Sequence, residues 1–157
     1  MMTKLRIPRF ALVLALALVL LASVPVFARA SATDRGAGSI VGVWRMTSLE
    51  VGTAGNLQPV PYSGQIVFTK SGTMSVQAMN PDANAADTPY TRNGYEAFYG
   101  TFTVNKATRN FVVTVESALA RDLIGQSLTR VFRVSGDTLV LTPPDPAEGW
   151  RATYQRV

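Results

Sequence analysis

From Ile40 onward, apolar and polar residues alternate with a period of two in short runs rich in Val, Thr, Phe and Tyr, broken by Gly, Pro, Asn and Asp. That period places successive side chains on opposite faces of a strand, and no long stretch carries the helical period instead. The runs are "IVGVWRMTSLEV", "QIVFT", "TMSVQAM", "EAFYGTFTV", "NFVVTVESA", "SLTRVFRV", "TLVLTP" and "WRATYQRV". Eight strands are expected, and an all-β fold with them.

The connections suit hairpins. "KSG" joins the second and third runs, and Gly72 there can adopt the positive φ of a tight reversal. "NKATR" and "SGD" join two further pairs in the same way. Three segments interrupt the meander. "GTAGNLQPVPYSG" (52–64) reads as a loop, and "NPDANAADTPYTRNG" (80–94) as a long one, either plain surface or a flap over an opening. "LARDLIGQ" (119–126) has room for one helical turn, with Leu123 and Ile124 packing down and Gly125 ending it.

Eight sequential antiparallel strands make either a sandwich or an up-and-down barrel. A sandwich needs a long crossover, for which only 80–94 is available. Closure removes unpaired edges, and an eight-stranded barrel leaves an interior that side chains nearly fill or that holds one small ligand. The barrel is expected over 40–157, after a flexible segment at 29–39.

The N-terminus has the outline of a secretory signal peptide: Lys4, Arg6 and Arg9, then the apolar run "ALVLALALVLLA", then small residues that permit cleavage after Ala28 or Ala30. The apolar run is shorter than the roughly 20 residues of a spanning helix. A bacterial protein, secreted or periplasmic, with no stable membrane span in its mature chain, is therefore expected. Three of the 15 lysines and arginines lie in this leader, so the rest carries 12 basic against 10 acidic side chains, a net charge of +2. The basic residues are scattered singly, and nucleic acid as a partner loses its support.

The sequence contains no cysteine and no histidine. Disulfides, Cys nucleophiles, Ser-His-Asp triads, histidine bases and the usual zinc sites are thereby excluded. "DANAAD" lacks the central glycine and distant glutamate of a calcium loop. No metal and no cofactor is expected. A mature chain of about 125–130 residues suffices for one unstapled core, as a monomer or weak dimer.

"GVWRMTSLE", "GQIVFTKSGTMSVQAM", "AFYGTFTV", "VESAL", "GDTLVLTPP" and "YQRV", in that order, resemble the bacterial and fungal lipocalin-like domain family. The resemblance spans nearly the whole mature chain and implies a calycin-type antiparallel barrel. It further implies that the first-strand tryptophan, Trp44, sits at the closed end with an arginine of the last strand across its ring, Arg156 before Arg151, while Gly42 lets the backbone approach. The family pattern often places histidine just before the equivalent of Val115 and Glu116; here Val113 and Thr114 stand there.

The remaining residues for chemistry are carboxylates, tyrosines and arginines on inward faces. Glu116 sits in an otherwise apolar or hydroxylated strand; turned inward it needs a partner, which Arg130 on the next strand can supply, and turned outward it is solvated with Val112 and Thr114. Tyr99, beside the strand glycine Gly100, points either to the interior or outside. Tyr99, Phe102, Val113, Glu116, Arg130 and Phe132 are thus the candidate ligand contacts. The leading expectation is a non-enzymatic container for a small hydrophobic or amphipathic ligand. The alternatives are a cofactor-independent isomerase, cyclase or hydrolase using Glu116 as acid or base with Tyr99 or Arg130 polarising oxygen, and a solid barrel serving as a stress or envelope adaptor.

Overall fold

A computed structural model describes residues 39–157. The expected leader at 1–28, its expected cleavage sites and all but the last residue of the 29–39 segment lie outside the described residues. Ten strands follow one another: β1 (Gly42–Thr53), β2 (Asn56–Val60), β3 (Ser63–Phe68), β4 (Thr73–Met79), β5 (Thr91–Arg92), β6 (Tyr95–Asn105), β7 (Asn110–Ala118), β8 (Ser127–Ser135), β9 (Thr138–Thr142) and β10 (Trp150–Arg156). All pairings are antiparallel, and β10 pairs back onto β1, so the sheet closes.

The result is an eight-stranded up-and-down barrel. β2 and β3 together make one stave, because both run along the same edge of β1, β2 against Leu49–Thr53 and β3 against Gly42–Arg45. The expected loop at 52–64 therefore contains a strand. Its Asn, Gln and Pro content masks it, since these residues disfavour strands in isolation and β2 forms only because β1 offers an open edge. β5 is a two-residue addition beside β6.

Alternation produces the interior directly. In β7, Phe111, Val113 and Val115 are buried while Thr114 and Glu116 are exposed. In β4, Met74, Val76 and Ala78 are buried, and in β9 Leu139 and Leu141. Burying each large apolar side chain contributes about 1.5–3 kcal/mol, which is why the register is specified throughout.

The two ends differ. At one end lie the tight hairpin turns β3–β4, β6–β7 and β8–β9, and here the interior is solid. Phe68 meets Phe102 and Phe111 edge-on at centroid distances of 5.1 and 5.2 Å, and Phe132 packs on Phe111 at 6.4 Å. Such contacts add roughly 0.5–1.5 kcal/mol each beyond area burial. Trp44, fully buried, shares this end; its Nε1–H donates to the Ile40 carbonyl at 2.8 Å. Arg156, its register partner on β10, lies across the indole at 3.9 Å. Gly42 has φ +148°, and a Cβ there would run into the Arg156 guanidinium.

At the other end lie the short Ala54–Gly55 turn and the longer connections 80–90, 119–126 and 143–149. A 3₁₀ turn at Arg121–Leu123 buries Leu123 with Ala120 and Val115. Ile124, expected to pack down beside Leu123, is instead 49% exposed, because the turn ends at Leu123 and the chain is already extended at 124. Among the described residues no helix is long and apolar enough to cross a membrane.

Candidate functional site

The half of the barrel away from the phenylalanine cluster is hollow. A cavity of about 450 Å³ is walled by Met46 and Leu49 of β1, Ile66 of β3, Met74 and Val76 of β4, Phe98 of β6, Val113 of β7, Leu128 of β8 and Leu141 of β9. It reaches the end with the longer connections, where Thr88–Thr91, Glu148 and Gly149 border it. The 80–94 segment thus contributes residues 88–91 to the mouth.

That part of the loop is built, not loose. Thr91 is buried, its hydroxyl 2.9 Å from that of Thr88 and accepting from the Thr88 N–H at 3.0 Å. Arg92 donates to the Thr88 carbonyl at 2.8 Å and reaches Asp122 within the 3₁₀ turn at 3.5 Å. Asp82 and Asp87 accept from the backbone N–H groups of Asn84 and Asn93, fixing the loop from within.

Three polar side chains project into the otherwise apolar space from separate strands: Glu96 (β6), Arg130 (β8) and Tyr154 (β10). Tyr62, in the link between β2 and β3, adds a fourth. Burial pushes the Glu96 carboxyl up to about 7, against the attraction of Arg130, which favours the ionised form. Glu96 is half-buried at its own surface, and the uncovered part faces the cavity it lines. Burial also raises the Tyr154 phenol, and the Glu96 charge raises it further. The Tyr62 phenol is raised by the same two causes, with a hydrogen bond from Asn80 opposing them.

Arg130 stands at the mouth as well. Its guanidinium carbon lies 5.4 Å from the Tyr90 ring centroid and 5.1 Å from that of Trp150, and Nη1 donates to the Thr129 carbonyl at 2.8 Å. Trp150 is in turn held by Glu148 at 3.3 Å. Each cation–π contact contributes about 0.5–2 kcal/mol according to desolvation. Together they bring the 80–94 loop, β8 and β10 together around the opening.

No protein-family model matches this chain, and no curated protein matches its sequence.

The residues singled out from the sequence divide cleanly. Val113 and Arg130 line the cavity. Phe102 and Phe132 belong to the solid end. Tyr99 is 47% exposed on the outer face. Glu116 is also exposed, so of the two orientations open to it the outward one is realised and the internal pair with Arg130 does not form. The register between β6 and β7 steps from Tyr99–Ser117 to Gly100–Val115, leaving Glu116 without a partner as the extra residue of a bulge. Gly100 is the other half of that bulge, where a Cβ would meet the Thr114 carbonyl oxygen. The alternative acid-base assignment to Glu116 and Tyr99 therefore loses its geometry.

Glu96 takes the place that Glu116 was expected to fill. A signal for it exists in the sequence: Phe98, Gly100 and Phe102 share the inward face, and continuing the period back by two reaches Glu96. Tyr154 is reached in the same way from Ala152. Arg151, the alternative partner of Trp44, makes a two-point ion pair with Glu50 at 2.6 and 2.8 Å on the outer surface.

Proposed function

We propose that this is an exported lipocalin-like protein that holds a small hydrophobic or amphipathic molecule in its barrel. The observation that carries this reading is the cavity itself: about 450 Å³, walled by aliphatic and aromatic side chains, bordered by ordered loops and provided with a few convergent polar groups. Binding sites for small molecules are commonly of this size and make-up. The closed end supports it too, since the Phe68–Phe102–Phe111 cluster gives the cavity a rigid floor.

The test is titration with an environment-sensitive apolar fluorophore, followed by displacement with lipophilic compounds and native mass spectrometry of the complexes. Saturable one-to-one binding is expected. Absence of binding by every class of compound would overturn the reading.

A second reading, a cofactor-independent isomerase, cyclase or hydrolase, is favoured by one observation: a carboxyl held at about 7 in an apolar cavity, beside a phenol and a guanidinium. A carboxyl so poised exchanges protons readily near neutrality. Here the acid-base role falls to Glu96, with Arg130 or Tyr154 polarising oxygen. Glu96→Gln separates the two readings, because a container keeps binding and an enzyme loses turnover.

A further inference from the structure

We infer that the molecule's polar end is neutral and carries an O–H or N–H donor beside a carbonyl oxygen, as in an amide or hydroxy-carbonyl group, and is read jointly by Glu96 and Arg130. This rests on the container reading above and specifies its ligand.

Glu96 and Arg130 line one cavity from β6 and β8 but are not in ion-pair contact. The Glu96 carboxylate has no hydrogen-bond partner among the described residues, and Arg130 uses one donor on the Thr129 carbonyl. No side-chain polar atom among the described residues is both sealed from solvent-sized space and unpartnered. Both side chains line the cavity, so a molecule held there can reach their unused valences.

An acceptor and a donor fork held apart in an apolar space are each under-solvated. A carboxylate head would satisfy Arg130 but face Glu96 with like charge. An ammonium head would satisfy Glu96 but face Arg130. A neutral head satisfies both, its donor on the carboxylate and its carbonyl on the guanidinium, without bringing net charge into the cavity. The phenols of Tyr62 and Tyr154, which feel the Glu96 charge, complete the polar surroundings.

The experiment compares four molecules with one chain and different heads: decanamide, N,N-dimethyldecanamide, decanoate and decylammonium, by calorimetry at about pH 8, where Glu96 is ionised. Decanamide should bind at least about tenfold more tightly than each of the others, the usual scale for a hydrogen bond to a charged group. Glu96→Leu should abolish its advantage over the dimethyl amide while leaving the dimethyl amide's own binding in place. Arg130→Met, which keeps the carboxylate, should also weaken decanamide. Equal binding of all four, or tightest binding of either charged head, would overturn this inference and leave the container reading standing. Failure of all four and of the apolar fluorophore would overturn both.

Discussion

Arg156 crosses the ring of Trp44 at 3.9 Å, and its two Nη groups donate to the carbonyls of Val41 at 2.9 Å and Ser39 at 3.0 Å. One side chain from the last strand thus satisfies backbone acceptors that precede the first strand and covers the indole beside them. Asp137, 3.6 Å from Nε, ties the β8–β9 turn to the same point. Closure of the barrel is locked here by directional contacts as well as by the β1–β10 ladder.

Arg156→Ala should therefore destabilise the fold by about 2–4 kcal/mol, the sum expected for two charge-assisted hydrogen bonds and a cation–π contact less partial rehydration. Arg156→Lys should recover only part of this, because an ammonium cannot reproduce the planar fork. Urea unfolding measures both; a loss below about 1 kcal/mol for the alanine variant would mean that the ladder closes the barrel unaided.

Gly100→Ala should cost about 1–3 kcal/mol or more, since the added methyl meets the Thr114 carbonyl oxygen across the bulge and the strands must part to admit it. A shifted denaturation midpoint with unchanged slope is the expected signature. An unchanged midpoint would show that the β6–β7 spacing yields freely.

Glu96 makes stability depend on pH in an unusual direction for a carboxylate. Its pKa in the folded state is raised to about 7 by burial, so the folded protein binds the proton more tightly than the unfolded chain does. The contribution is fully present below the unfolded value near 4.5 and is lost as pH rises through about 7. The titratable groups that share the cavity with it include Arg130, whose charge favours ionisation, Glu148 at the mouth, and the phenols of Tyr62 and Tyr154, which stay neutral in this range. Comparing wild type with Glu96→Gln from about pH 5 to 8 should show a difference that grows with pH, by up to about 3 kcal/mol before screening through the cavity mouth reduces it. A pH-independent difference would place the carboxylate in ordinary solvent.

The two tryptophans divide the barrel between them, Trp44 in the solid end and Trp150 on the cavity wall. An apolar quencher entering the cavity should act on Trp150 alone. The fluorescence response should vanish in Trp150→Phe and persist in Trp44→Phe. Quenching that survives loss of Trp150 would locate the bound molecule elsewhere.

Much of the strand layout was legible along the chain, since the period-two runs coincide with β1, β3, β4 and β6–β10 to within a residue or two. β2 was not, because its Asn-Leu-Gln-Pro-Val run forms a strand only against the far half of β1. Glu116 and Glu96 mark the limit at the site. Both are carboxylates in strands of inward-facing aromatics or valines, but whether one turns inward depends on phase, and the bulge at Glu116 changes phase where the two strands meet.

The sequence by itself determined the all-β class, the hairpin order and the exclusion of thiol and imidazole chemistry, because alternation and composition are properties of the chain alone. Only the tertiary structure decided that the barrel is solid at the Trp44 end and hollow at the other, and that Glu96, Arg130 and Tyr154 line one cavity there. Those residues lie on strands that are not neighbours in the sheet. Their sharing of one interior is fixed by closure, which brings together side chains that no local period relates.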